Sequence, residues 1–511
     1  QGEQNSPAVA VDRRGRILVS WRHGSQDSLG IFCRAFGEGG IAVAEFRLPS
    51  GGPQSISDLS APAVAASELT SDTSHFLVSW VQTDTLNSRK LYLATVGFYR
   101  WSVPAKISLD SSLTVIREGS GIHAARPSLS SKENGDIVLV WGESDGVWNR
   151  VMGASFKLEQ GAPSQILALT DTKPGFGTPA AHPVAALRQE GAFTVVWEDS
   201  SAGDADLKMQ SYSRLGIVED PLYISPGGEW EAASGVAALL ARTGGGYSLF
   251  WEKQTSEGFN IQTADFDFAG RPLTVARALS ESAWDQRRPV AERNSRGDYL
   301  VAWQERERTG SEYRLRAMLF APDGSTVKDT FSIETSRSNH LAGVAVSVGE
   351  NGASYMVWER WAPSKSAPDL VLGRLDSLGN LIGSSVVAAS GMGGGRLASV
   401  AAAPDGSHMV AWRQGAASGI NASVQARLYG PQRQIVRDRI RISRDSLDYL
   451  GVVHNAVDIE QHRYLGEKED YLVHVSRICE DKGTEQAVRM ARDKGWRLML
   501  GGKIDPGRDR E

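Results

Sequence analysis

A tryptophan that closes a short apolar run recurs eight times, at positions 21, 80, 141, 197, 251, 303, 358 and 412, and this periodicity restricts the fold more than any other feature of the chain. The runs read ILVSW, FLVSW, IVLVW, FTVVW, YSLFW, YLVAW, SYMVW and HMVAW, and successive tryptophans stand 59, 61, 56, 54, 52, 55 and 54 residues apart. Such a period marks a repeat architecture, in which each unit is one supersecondary motif that cannot bury its own faces alone. At 511 residues the chain also exceeds what one ordinary hydrophobic core supports.

Within each unit the residues prescribe four strands. Upstream of the tryptophan lies a second apolar stretch, often opened by proline: PAVAV from Pro7, PAVAA from Pro62, PSLS from Pro127, PVAAL from Pro183 and PVAE from Pro289. Proline suits the first residue of a strand, where no ladder N–H is needed. Between the two stretches stand Arg14-Gly15, Asn134-Gly135, Arg296-Gly297, Asn351-Gly352 or Asp405-Gly406, the chemistry of a tight hairpin turn. Downstream come an alternating third strand, such as LKMQSY from Leu207 or YRLRAMLF from Tyr313, and a fourth, such as VAEFRL from Val43 or DRIRIS from Asp438. Four antiparallel strands repeated without intervening helix predict an all-β fold over residues 1–443, an eight-bladed β-propeller of four-stranded antiparallel blades. The recurring tryptophans are then anchors between neighbouring blades. The alternative, that they are stacking platforms for sugars, would require one site to demand the same aromatic from every repeat.

Composition narrows the function. The hydrophobic share of 41% and charged share of 23% are those of a folded globular chain. A formal charge of −5, split −2 for residues 444–511 and −3 for the rest, offers no cationic cluster for phosphate, so no nucleic-acid partner is expected. No apolar run approaches the roughly 18 residues of a membrane span. Cys33 and Cys479 lie far apart in sequence and are read as free thiols. Histidines 23, 75, 123, 182, 340 and 408 show no metal-ligand spacing, so no metal site is expected. The chain opens at Gln1 rather than Met, leaving room for a removed leader and no basis for fixing the compartment.

The position after the tryptophan is repeatedly acidic or amide: Glu198, Glu252, Gln304 and Glu359, with Glu143 and Glu305 one place further on. Strand alternation sends these side chains off the tryptophan face near one end of each blade. A ring of carboxylates there would bind a cation or sugar hydroxyls, and a close pair would support glycoside hydrolysis; the competing reading is polar loop residues facing solvent. No catalytic residue is assigned. The pattern P-x-V-A, turn, Gly, apolar strand, V-x-W resembles bacterial propeller repeats. Gly135 and Trp141 are six residues apart, so the Asp box of sialidase-like propellers is absent.

After Ser443 the pattern changes. DYLVHVSRI from Asp470 reads as a buried strand, TEQAVRMARDKG from Thr484 as an amphipathic helix and RLMLGGK from Arg497 as a second strand, the opening of an α/β sheet. Residues 452–458 (VVHNAVD), 471–483 (YLVHVSRICEDKG) and 487–503 resemble, in order and spacing, the start of the donor-binding domain of family 4 (group 1) glycosyltransferases of the GT-B fold. That resemblance implies a partial Rossmann-like segment over residues 444–511, with Arg477 and Lys482 on the diphosphate of a nucleotide sugar; solvated surface charge is the alternative for both. The remainder of such a transferase is absent from these 511 residues, so no transferase activity and no bound cofactor are expected of the chain as it stands.

Three functional readings follow. The first is a propeller that binds a glycan or protein ligand, or serves as a scaffold, joined to a truncated glycosyltransferase-like segment. The second is part of a longer glycosyltransferase in which the propeller recruits acceptor or partner, and the third is a glycan-acting propeller hydrolase. The propeller points to an exported or periplasmic setting, the tail to a cytoplasmic one.

Overall fold

The computed structural model describes residues 3–24, 29–37, 42–48, 56–68, 73–101, 106–122, 127–132, 134–144, 149–169, 183–188, 191–199, 206–214, 216–217, 222–224, 237–365, 367–383, 385–390, 398–415, 423–432, 434–441, 471–475 and 497–501. By its contacts the chain divides into two units, Gln1–Asp448 and Tyr449–Glu511.

The first unit is an all-β, eight-bladed propeller. Its blades occupy residues 3–47, 56–118, 128–168, 184–223, 237–278, 285–336, 340–389 and 399–441, and are called blades 1 to 8 here. In each, the strands pair antiparallel in sequence order, with the tryptophan on the second. Blades 2 and 4 carry a fifth short strand because one ladder is interrupted.

Alternation along the second strand drives the assembly. The eight tryptophans are between 0% and 2% exposed, and each hydrophobic cluster joins two neighbouring blades. Trp80 packs on Leu18, Ile31 and Cys33 of blade 1, and Trp358 on Leu300 and Leu315 of blade 6. A twisted four-stranded sheet can bury both faces only against neighbours, and each indole removes on the order of 150–250 Å² from water in that contact. The first strands pack side by side around the axis, and the first strand of blade 8 returns against that of blade 1. Closure brings two apolar faces together: Ile17, Val19, Trp21 and Phe36 meet Met409, Ala411, Val424 and Leu428. No strand is exchanged, since both terminal blades are built from consecutive strands.

Pro62, Pro127 and Pro183 stand at the entry of a strand, as expected, and two other prolines play a different part. Pro7 and Pro289 lie inside the first strands Glu3–Val11 and Asp285–Arg293, at register shifts between Asn5 and Ala8 and between Arg287 and Val290. The preceding residues, Ser6 and Arg288, have φ of 53° and 58°, and Gly343 takes the same place in blade 7 at 61°. Each is a β-bulge, where the ladder is already broken and a missing N–H costs nothing.

The hairpin turns follow the expectation. At Gly297 φ is +101°, and a Cβ there would run into Thr243 and Pro322, so the turn needs glycine for both its conformation and its close approach to the neighbouring blade. In the second unit, Tyr471–Val475 and Arg497–Gly501 pair in parallel. The helix expected between them lies outside the described residues. No helix among the described residues is long and apolar enough to cross a membrane.

Candidate functional site

The acids around the tryptophans divide by strand geometry. Residues two apart on a strand share a face, so the second residue after the tryptophan reaches its indole. Trp141 donates through Nε1 to Glu143 at 2.8 Å, Trp303 to Glu305 at 3.0 Å and Trp412 to Gln414 at 3.0 Å. In blade 7 the acceptor comes from elsewhere: Trp358 donates to Glu334, on the fourth strand of blade 6, at 2.7 Å. Glu143 also accepts from Nε and Nη2 of Arg117 on blade 2, at 2.9 and 3.2 Å. These side-chain oxygens satisfy buried donors that would otherwise destabilise the core.

The first residue after the tryptophan lies on the opposite face. Glu252 is 4% exposed and accepts from Arg287 Nε at 3.1 Å and from the backbone N–H of Arg288. A blade 5 carboxylate therefore holds the blade 6 bulge, whose left-handed backbone is costly for a non-glycine residue. Gln304 is half-buried and pairs in register with Arg287. Glu359, on blade 7, is buried; it accepts from Trp361 Nε1 at 3.0 Å and lies against Gly343. Glu198 is half-buried on blade 4. Arg477 and Lys482 lie outside the described residues.

Around Glu252 and Gln304, the same end of blades 5 to 7 carries a feature not singled out from the sequence. The Arg287 guanidinium lies 3.6 Å from the centre of the Phe259 ring, and that of Arg314 lies 3.6 Å from the Trp284 ring. Arg306 faces Tyr313 at 5.8 Å, with His340 beside the same ring at 4.8 Å. Acids fix these cations in place. Glu312 accepts from Arg314 at 3.0 and 3.2 Å and from Arg337 at 3.2 Å, and Asp285 accepts from Arg308 at 3.2 Å. Donation by Arg337 and Arg314 holds the Glu312 carboxyl below its usual range. Burial, then Arg306, lowers the His340 pKa and favours the neutral ring. The surface thus combines half-buried aromatic rings, rigid guanidinium donors and carboxylate acceptors. Its sequence signal is the dense alternation of charge in QERERTGSEYRLR, residues 304–316, together with Arg287-Arg288-Pro289.

Among the described residues no three His, Cys, Asp or Glu side chains are grouped to hold a metal ion.

No family model matches the chain, and no curated protein does. Solved structures show distant similarity. An ulvan lyase, described as a new family of polysaccharide lyase, aligns over 74% of this chain and 94% of its own at 10% identity and a TM-score of 0.44. The propeller domain of the trilobed protease from Pyrococcus furiosus, described as having an open velcro topology, aligns over 75% and 95% at 9% identity and a TM-score of 0.39. An endo-arabinase from Bacteroides thetaiotaomicron aligns over 48% and 92% at 12% identity and a TM-score of 0.27.

Proposed function

We propose that residues 1–443 act as a carbohydrate-binding propeller, with the ligand lying across the end of blades 5 to 7 that carries Glu252, Gln304 and Glu359. The observation that carries this reading is the pair of guanidinium–aromatic stacks, Arg287 on Phe259 and Arg314 on Trp284, each at 3.6 Å and each braced by an acid. Aromatic surface receives the C–H faces of a sugar, while guanidinium donors and carboxylate acceptors at fixed positions match its hydroxyls. Arginines and acids alternate here, which suits a hydroxyl-rich ligand better than a polyanion.

Binding is favoured over cleavage by the state of the carboxylates. Glycoside hydrolysis needs one carboxyl free to give a proton and another free to attack or to activate water. Glu252 and Glu359 instead hold an arginine, a backbone N–H and an indole. On this reading residues 444–511 are an appended partial donor-binding segment, with Arg477 and Lys482 as its diphosphate contacts. It is a separate element of the proposal, tested by titrating the full chain with nucleotide sugars.

For the propeller, the full-length protein is applied to an immobilised panel of oligosaccharides, beside the variants Trp284→Ala and Arg314→Ala. At least one glycan is expected to be retained without release of shorter products, with affinity falling on the order of tenfold in each variant. Retention by neither wild type nor variants, or equal retention by all three, would reject the site. Product release would transfer the reading to the hydrolase.

A further inference from the structure

The first strands of the blades enclose a central cavity of about 630 Å³ that extends to the hairpin-turn end of the propeller. Its wall is built from small side chains on different blades, among them Val9, Val64, Ser130, Val346 and Val400. The cavity lies within the first unit and is approached from the end opposite the residues following the tryptophans.

One position breaks this wall. Relative to each tryptophan, the residue paired three places before it is Ala10, Ala65, Ser130, Ala186, Leu240, Glu292, Ser347 and Ala401 in blades 1 to 8. Glu292 is the single carboxylate in that ring of equivalent positions. Its side chain is open to the cavity, and no hydrogen bond reaches it among the described residues. Desolvation raises its pKa from 4.5 to about 7, against the opposing pull of Arg293.

The other charged groups lining the cavity are Asp12, Arg13, Arg293 and Glu350. Asp12 accepts from Arg16 Nε at 2.6 Å, Glu350 accepts from the backbone N–H of Ser295 at 3.0 Å and from its hydroxyl at 2.6 Å, and Arg293 donates to the carbonyl of Ala241. Glu292 thus differs from its acidic neighbours in having no donor of its own.

We propose that this cavity is a binding site for a small organic ammonium, its charged group paired with Glu292 and its body lying along the wall formed by the first strands. The ligand class follows from what the site lacks. A divalent cation would need several oxygen ligands and more than one negative charge, and no acidic or histidine cluster is present among the described residues. An anion would meet a carboxylate. A neutral hydroxylated molecule would not balance the charge of a carboxylate that has no donor, whereas an ammonium would both balance it and use its remaining N–H groups on strand-edge carbonyls and serine hydroxyls. The volume suits a small organic molecule rather than a bare ion. This site is independent of the carbohydrate face proposed above.

The test uses the full-length protein and three probes of matched shape: n-hexylammonium, n-hexanol and n-hexanoate. At pH 8, calorimetric titration is expected to show hexylammonium binding on the order of tenfold more tightly than hexanol, with hexanoate weakest. Glu292→Gln is expected to reduce hexylammonium to the level of hexanol. In wild type the ammonium should bind more weakly at pH 5.5, where the carboxyl is protonated, while hexanol is unchanged; this comparison stands even where the variant does not fold. Equal binding of hexylammonium and hexanol, an unaltered Glu292→Gln variant, a pH-independent preference, or no binding of any probe at millimolar concentration would each overturn the proposal.

Discussion

Glu305 Oε1 accepts the indole N–H of Trp303 at 3.0 Å and the side-chain amide of Gln286 at 3.1 Å, while Gln286 Oε1 in turn accepts the backbone N–H of Ile261 at 3.1 Å. One carboxylate therefore fixes the repeat tryptophan of blade 6 and, through a fully buried amide, reaches the third strand of blade 5. Two residues of spacing along a strand create the first link, and only the stacking of blades creates the second.

Removing that carboxylate leaves two buried donors unsatisfied. Glu305→Ala is expected to cost about 1–3 kcal/mol, and Glu305→Gln less, since one acceptor oxygen remains. Thermal unfolding of both variants checks this. Equal destabilisation by Gln and Ala would show that charge, rather than acceptance, matters.

Gly343 occupies the blade 7 bulge with φ of 61°, and a Cβ there would lie 3.0 Å from Cδ of Glu359. Gly343→Ala combines a left-handed alanine with pressure on a buried carboxylate, and should destabilise by about 1–3 kcal/mol. Blade 6 tolerates Arg288 at the same place because Glu252 accepts its backbone N–H. Glu252→Ala should therefore lower the melting temperature, and Arg288→Gly in that background should recover part of the loss.

Blades 8 and 1 exchange no strand among the described residues, so their interface is the natural point of opening. Met409 is fully buried in it. Met409→Ala should cost about 2–5 kcal/mol. Hydrogen exchange should rise first in residues 3–47 and 399–441. A uniform rise around the ring would mean that closure is no weaker than the other interfaces.

Glu292 predicts a pH dependence of definite sign. Its pKa is about 7 when folded against 4.5 when unfolded, so the folded chain keeps a proton that the unfolded chain releases in that interval. The native state therefore loses stability as pH rises from 4.5 to about 7 and is level above it. Subtracting wild-type melting temperatures from those of Glu292→Gln at each pH should give a difference that grows in favour of the variant across that window. A flat difference would mean that the carboxyl is not desolvated.

Much of the site escaped the sequence for a common reason. Glu198, Glu252, Gln304 and Glu359 stood out because they recur beside a marker, but recurrence does not state what lies across from them. Glu252 meets the bulge of the following blade, and Phe259 and Trp284 receive arginines from elsewhere in the sequence. Glu292 carried a faint signal as the one acid in the PVAE stretch where other repeats hold alanine, serine or leucine.

The sequence by itself determined the unit and its number. Alternation of apolar residues sets which face of a strand is buried, glycine turns set where it reverses, and eight tryptophans count the copies. Those are relations between residues a few positions apart, and they survive reading in one dimension. Tertiary structure alone decided how blade 8 meets blade 1, which acids are spent on indoles and bulges, and which one faces the central cavity without a donor. These depend on contacts between residues about one repeat, or nearly the whole propeller, apart, where the stacking of twisted sheets rather than local preference chooses the neighbour.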